Sequence, residues 1–291
     1  MTGVLVEALT LAAIYAVLTL SLNLQYGLTG LLNFGVSFFF AVGGYAVGVV
    51  HFHGWSPWIG IVAAPVAGAI AGILLAIPTK RLDDHYWALM TLGVAALFLA
   101  IMNNNPRIAG GDLGTYGILR IEPARLLPIL AGVIAVVVVA FERIRRSQFG
   151  RVIRVAREDP ILLAAIGRDL FRFRLSVLMI GGAVAAVGGV ALAYWLTIVA
   201  PPVFSLDQTV IVWAMMIVGG RGNNYGSLVG ALLLEAIFIG TRFLPDFGGL
   251  LTGTDYALLR ILIVGASLVL VLMVRREGVV RESKVRYAPL D

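Results

Sequence analysis

Long apolar runs separated by short polar clusters recur along the whole chain, near residues 4–22, 31–50, 58–78, 86–102, 125–141, 175–199, 207–220, 226–240 and 257–274. Crossing about 30 Å of hydrocarbon takes about 20 helical residues. The pattern therefore predicts eight or nine transmembrane helices: an all-α, polytopic membrane protein forming one transmembrane domain over residues 1–291. The 207–220 and 226–240 blocks are short for full crossings. They are separated by Gly219-Gly220-Arg221-Gly222-Asn223-Asn224-Tyr225-Gly226, so one or both read as half-helices. A second Gly-broken stretch runs from Tyr26 to Gly48, at the opposite end of the chain from Val218 to Gly240. Transporters built from two related halves show such interrupted helices along a midplane path. Small residues that let neighbouring helices pack closely would leave the same mark.

Composition agrees. Hydrophobic residues make up 60% of the chain and charged residues 13%, with a mean hydropathy of +0.96, whereas soluble domains are roughly half apolar and a quarter charged. The net charge of +6 does not point to nucleic acid, because the basic residues sit between apolar blocks rather than on one surface. Lys80 and Arg81 fill one connection, nine Arg lie between Arg143 and Arg174, and Arg275, Arg276, Arg281, Lys284 and Arg286 mark a basic tail over 275–291. The positive-inside rule puts all three in the cytoplasm and the 103–124, 200–206 and 241–256 connections outside. With nine crossings the N-terminus is outside too, and an even count would move it inside. Met1 to Leu22 lacks a basic leader and a small-residue cleavage site, so it reads as a retained span. Cysteine is absent, which removes thiolate chemistry. No G-x-x-x-x-G-K-[ST] loop occurs, so nucleotide hydrolysis would need another chain.

The cytoplasmic excursion over 142–174 is long for a connection. Within it Asp159 is placed as an N-cap, Pro160 as the first helical residue and Gly167 as the left-handed C′ residue, predicting one short helix over Ile161 to Ile166. Ile161, Leu162, Leu163 and Ile166 cannot all point inward from two turns. The exposed remainder would dock a partner protein, or dip into lipid headgroups while Arg151, Arg154 and Arg157 pair with phosphates.

Few polar side chains fall inside the apolar blocks. Asn33 and Ser37 lie one helical turn apart and, with Asn23, offer hydrogen bonds to a zwitterion or glue between helices. Gly35, Gly219, Gly220 and Asn223 flank the two breaks and join Asn33 and Ser37 as candidates for a substrate pathway. Glu235 is an acid deep in an apolar block and must be neutral, paired or facing water. It serves proton coupling or, more simply, a structural hydrogen bond or a position at headgroup level. His51, His53 and His85 lack metal-ligand spacing, so no metal is assigned. Trp55, Trp58, Tyr86 and Trp87 fit an aromatic belt.

The run Gly150-Arg151-Val152-Ile153-Arg154-Val155-Ala156-Arg157-Glu158-Asp159, followed by Ala164-Ala165-Ile166-Gly167, resembles the cytoplasmic signature of the branched-chain amino acid ABC transporter permease family. The likeness extends to Gly27-Leu28-Thr29-Gly30-Leu31-Leu32-Asn33-Phe34-Gly35 with Gly43-Gly44-Tyr45, to Tyr86-Trp87-Ala88-Leu89-Met90-Thr91-Leu92, and to Gly110-Gly111-Asp112-Leu113-Gly114. It resumes at Pro202, Phe204 and Ser205 and at Gly219-Gly220-Arg221-Gly222 with Gly226 and Gly230. The resemblance implies a non-enzymatic importer subunit of the plasma (inner) membrane. It would pair with a second permease chain, with two cytoplasmic ATPases that hydrolyse the ATP, and with an external solute-binding protein, and would bind no cofactor itself. It also implies that Arg154, Arg157, Glu158, Asp159, Ile161, Leu162, Leu163, Ala165 and Gly167 couple to the ATPase. Val36 stands where the family usually has His, Ser227 where it usually has Pro, and Ala109 precedes Gly110 in place of Thr. These departures bear on the solute, since relatives handle branched-chain and other amino acids, amides and urea. The alternative function is a stand-alone ion- or proton-coupled carrier, which the Gly-broken halves equally permit. A membrane enzyme finds no paired carboxylates or nucleophile-base arrangement to support it.

Overall fold

In lipid every backbone N–H and C=O must be satisfied within the protein, so the apolar blocks form helices. The computed structural model describes residues 2–165, 167–240 and 278–281, with isolated positions between 262 and 273. Ile166, the 241–256 loop, most of the 257–274 block and the basic tail apart from 278–281 lie outside the described residues. Helix α1 (Thr2–Leu22) runs into a six-residue π-helix, Asn23–Leu28, and then an extended stretch. Next come α2 (Val36–Phe52), α3 (Pro57–Ala76) with a 3₁₀ turn at Ile77–Lys80, α4 (Asp84–Asn104) and the short α5 (Pro106–Ala109). Strand β1 (Thr115–Tyr116), α6 (Pro123–Arg146), α7 (Gln148–Glu158), α8 (Pro160–Ala165) and α9 (Leu170–Leu196) follow. Strand β2 (Ile198–Val199), a 3₁₀ turn at Pro201–Phe204, α10 (Asp207–Gly219) and α11 (Asn224–Gly240) complete the described chain. Six helical stretches are long and apolar enough to cross a membrane, and α2 and α11 are shorter apolar helices. The protein is a multi-pass membrane protein.

Glycine sets the packing. A Cβ on Gly43 would overlap the Ala186 carbonyl, and one on Gly68 or Gly72 would strike the backbone of α9, so α9 lies flush against α2 and α3. The main apolar core gathers α1, α2, α9, α10 and α11 around Ile14, Leu18, Phe40, Phe204, Met215 and Leu234.

Contacts sort the connections into two ends. Lys80 Nζ sits 4.1 Å from the centre of the Phe171 ring, which joins the α3–α4 connection to the start of α9 just beyond the Arg-rich loop. At the other end, Thr115 pairs with Val199 and Tyr116 with Ile198 in an antiparallel ribbon, and Glu7 lies 4.0 Å from Arg120. The start of α1 therefore shares an end with the 103–124 connection, opposite the basic loops.

Candidate translocation and coupling site

The first break begins where α1 loosens. Ser21 Oγ donates to Gly181 O of α9 at 2.7 Å and accepts from Gln25 Nε2 at 3.0 Å. Asn33 Nδ2 donates to Gln25 Oε1 at 2.5 Å, and its Oδ1 accepts from Gly35 N at 2.7 Å. Trp213 Nε1 of α10 donates to Asn33 O at 3.0 Å, and Phe34 N donates to Thr91 Oγ1 of α4 at 3.1 Å. These side chains replace the helical bonds that the extended stretch lacks, which is the condition for unwound backbone at membrane depth. Thr91 lies seven residues into α4 from Asp84, so the break sits about 10 Å in from that helix end. Asn33 is fully buried with both ends of its amide engaged. Ser37 is also buried: its N–H donates to Thr209 Oγ1 at 3.3 Å, while its Oγ finds no partner among the described residues. Gly35 is closed in by Thr91 O. Phe34 alone of residues 29–35 is exposed, at 38%, and it stacks on Trp213 with ring centroids 4.9 Å apart.

The second break is a hairpin. Gly219 meets the backbone of Gly226, and Gly230 meets Met215 O, so closely that a Cβ at any of the three glycines would overlap them. Gly220 turns the chain with φ +114, open in practice only to glycine. Asn223 caps α11, its Oδ1 accepting from Tyr225 N at 2.9 Å and Gly226 N at 3.3 Å. Residues 278–281 lie against this turn: Val279 N donates to Val218 O at 2.9 Å, Val280 N to Gly219 O at 3.0 Å, and Asn223 Nδ2 to Arg281 O at 2.8 Å. Asn23 joins the two breaks, with Oδ1 accepting from Gly222 N at 2.7 Å and Nδ2 donating to Asn224 Oδ1 at 3.1 Å. Glu235 is buried in α11.

On the cytoplasmic side, Asp159 caps α8 through Leu162 N at 3.0 Å, and Gly167 ends the turn with φ +73. The short helix is therefore Pro160–Ala165, close to the expected span. Leu163 is fully buried while Leu162 is 51% exposed; Glu158, Asp159, Ala165 and Gly167 are exposed as well. The Ile161 side chain is not among those described. Ahead of α8, α7 is a helix that the reading of the loop did not foresee. Ser147 Oγ caps it through Gly150 N at 3.3 Å, and its buried face carries Ile153 and Ala156. Two coupling candidates turn back toward the membrane helices. Arg154 Nη2 donates to Arg145 O at 2.9 Å, and Arg157 Nη1 donates to the Gly27 carbonyl of the π-helix.

Sequence reasoning did not single out Ser21, Gln25, Thr209, Trp213 or Asn224. Ser21 with Gln25, and Thr209 with Trp213, recur at a four-residue spacing that puts each pair on one helix face, and this is the signal that could have found them.

The family model described as "Branched-chain amino acid transport system / permease component" matches residues 4–272. The chain belongs to that permease family. The high-affinity branched-chain amino acid transport system permease protein LivM of Escherichia coli (strain K12) is 28% identical to this permease over 305 aligned positions, covering 94% of this chain and 69% of that one. The probable branched-chain amino acid transport permease protein LivM of Methanocaldococcus jannaschii is 27% identical, over 75% of this chain and 76% of the relative. The probable branched-chain amino acid transport permease protein LivH of the same organism is 24% identical, over 79% and 78%. The permease is thus a transmembrane transport subunit, of a family that is not one of enzymes.

Proposed function

We propose that this chain is one permease chain of an ATP-driven importer in the plasma (inner) membrane, passing branched-chain or other small amino acids delivered by an external solute-binding protein. It pairs with a second, related permease chain, and two cytoplasmic ATPases hydrolyse the ATP. Likeness to both LivM and LivH of one organism supports a pair of related chains. The observation that carries the reading is α8, anchored by buried Leu163 and presenting Leu162 to the cytoplasm. A helix of six residues capped at both ends is stiff enough to be pushed, and an exposed leucine beside Glu158 and Asp159 suits a groove on a partner. Closure of the ATPase pair then moves α8 and rocks the attached helices between outward-facing and inward-facing states.

The solute passes along the face where Phe34 emerges. Unwound backbone at membrane depth belongs beside protein or a water-filled cavity, and the Phe34 ring backed by Trp213 offers an apolar wall to an aliphatic side chain. In this reading Asn33, Gly35, Ser37, Gly219, Gly220 and Asn223 shape the wall and Phe34 touches the solute.

The test is co-purification. Leu162→Asp releases the ATPase chains while the permease stays folded; ATPases that stay bound to this variant sink the docking surface. Uptake by this chain alone in ATP-free liposomes would replace the importer with an ion- or proton-coupled carrier.

A further inference from the structure

We infer that Arg157 is a positioning residue that transmits motion of the cytoplasmic loop to both helix breaks, rather than a contact for the ATPase; the inference rests on the importer reading. Its side chain runs inward. The guanidinium donates to Gly27 O, 130 residues earlier in the chain, and this carbonyl is one that the backbone bypasses. The bonds closing the π-helix run from Gly30 N to Tyr26 O and from Leu31 N to Gln25 O, stepping over Gly27. The stem of the same side chain lies against Gly30, where φ is +73 and a Cβ would come within 2.8 Å of Arg157 Cγ. One arginine thus seats both the Gly27 carbonyl and the exit turn of the π-helix.

The two segments are also fastened by packing. Ile153, one turn before Arg157 on α7, is buried in an apolar cluster with Leu24 and Leu28 of the π-helix. On its far side, α7 leads through Asp159 directly into α8. A push on α8 therefore reaches Gly27 without crossing a flexible connection. From Gly27 the route onward is short. Asn23 holds Gly222 and Asn224 of the second break, and Gln25 holds Asn33 of the first. A π segment is a place where a helix can shift register by one residue. Such a shift in 23–28 would move the Asn23 and Gln25 amides against their partners and loosen both breaks at once. Glu158 and Asp159, by contrast, are exposed and are left to meet the ATPase.

The experiment uses the importer purified with its ATPase chains and reconstituted in liposomes, reading ATPase retention, ATP hydrolysis and amino-acid uptake per ATP. Arg157→Ala retains the ATPase chains and hydrolyses ATP, but uptake per ATP falls about tenfold, the scale of one charge-assisted hydrogen bond. Arg157→Lys, which keeps the stem over Gly30 and one charged donor, recovers part of the coupling, and Arg157→Gln recovers less at the same melting temperature. Loss of ATPase chains from Arg157→Ala makes Arg157 a docking contact and overturns the inference, as does unchanged uptake per ATP. If Arg157→Ala does not fold, the Lys and Gln variants decide: equal, wild-type coupling in both overturns it. Failure of the wild-type chain to bind any ATPase instead defeats the importer reading beneath it.

Discussion

Asn23→Ala tests whether the two breaks are held together by one side chain. The change removes the bonds from Gly222 N at 2.7 Å and to Asn224 Oδ1 at 3.1 Å, both in fully buried surroundings. Hydrogen bonds between membrane helices contribute about 1 kcal/mol each, and leaving the Gly222 N–H buried without an acceptor costs about 1–3 kcal/mol. A total near 3 kcal/mol, at about 2–4 °C per kcal/mol for a chain of this size, lowers the midpoint of thermal unfolding in mild detergent by roughly 6–12 °C. Asn104→Ala is the matched control: Asn104 is exposed and, among the described residues, its side chain bonds within its own helix, to Ala100 O. Its expected loss is within about 0.5 kcal/mol. Asn224→Ala should overlap with Asn23→Ala rather than add to it, because the two share a bond. If Asn23→Ala melts together with Asn104→Ala, the junction is held by apolar packing and not by the Asn23 amide.

Other substitutions probe separate parts. Gly230→Val drives a branched side chain into Met215 O and the backbone of Gly219; it costs more than about 3 kcal/mol and abolishes the monodisperse peak in size-exclusion chromatography. Leu163→Ala empties a fully buried site at about 2–5 kcal/mol and exposes the loop to limited proteolysis, whereas Leu162→Ala leaves the digestion pattern unchanged. Gly167→Ala meets no atom within 4 Å but must hold φ +73. The strain of about 1 kcal/mol raises amide exchange in α8 roughly fivefold.

The short helix α8 was legible because its cap, its first proline and its terminating glycine each act locally. Helix α7 was not, because Arg151, Arg154 and Arg157 read as partners for lipid phosphates or for an ATPase rather than as one side of a helix. Its apolar positions Ile153 and Ala156 make a helix worthwhile only when Leu24 and Leu28 are there to cover them. The breaks themselves were written in glycine. Their meeting was not, since Asn23 and Gly222 are 199 residues apart and nothing local announces a partner. The π-helix is the least legible feature: Asn23-Leu24-Gln25-Tyr26-Gly27-Leu28 continues the apolar run of α1, and only tertiary bonds from Gln25, Asn23 and Arg157 favour the wider turn. Asn33 and Ser37 were expected one helical turn apart, but Asn33 lies in the extended stretch ahead of α2 and only Ser37 is helical; which way each side chain faces depends on α4 and α10, which the linear pattern leaves open.

The two-residue ribbon at the outer end gives α9 a second meaning. With 27 residues the helix is about 40 Å long. Its first turn follows α8 after a short turn, and its last residue leads into β2, which is stitched to the outer connection at Thr115 and Tyr116. Flush packing on α2 and α3 leaves it little room to bend. It is therefore a single strut between the two aqueous faces, and a load that tilts the outer ribbon must also displace the seat of α8.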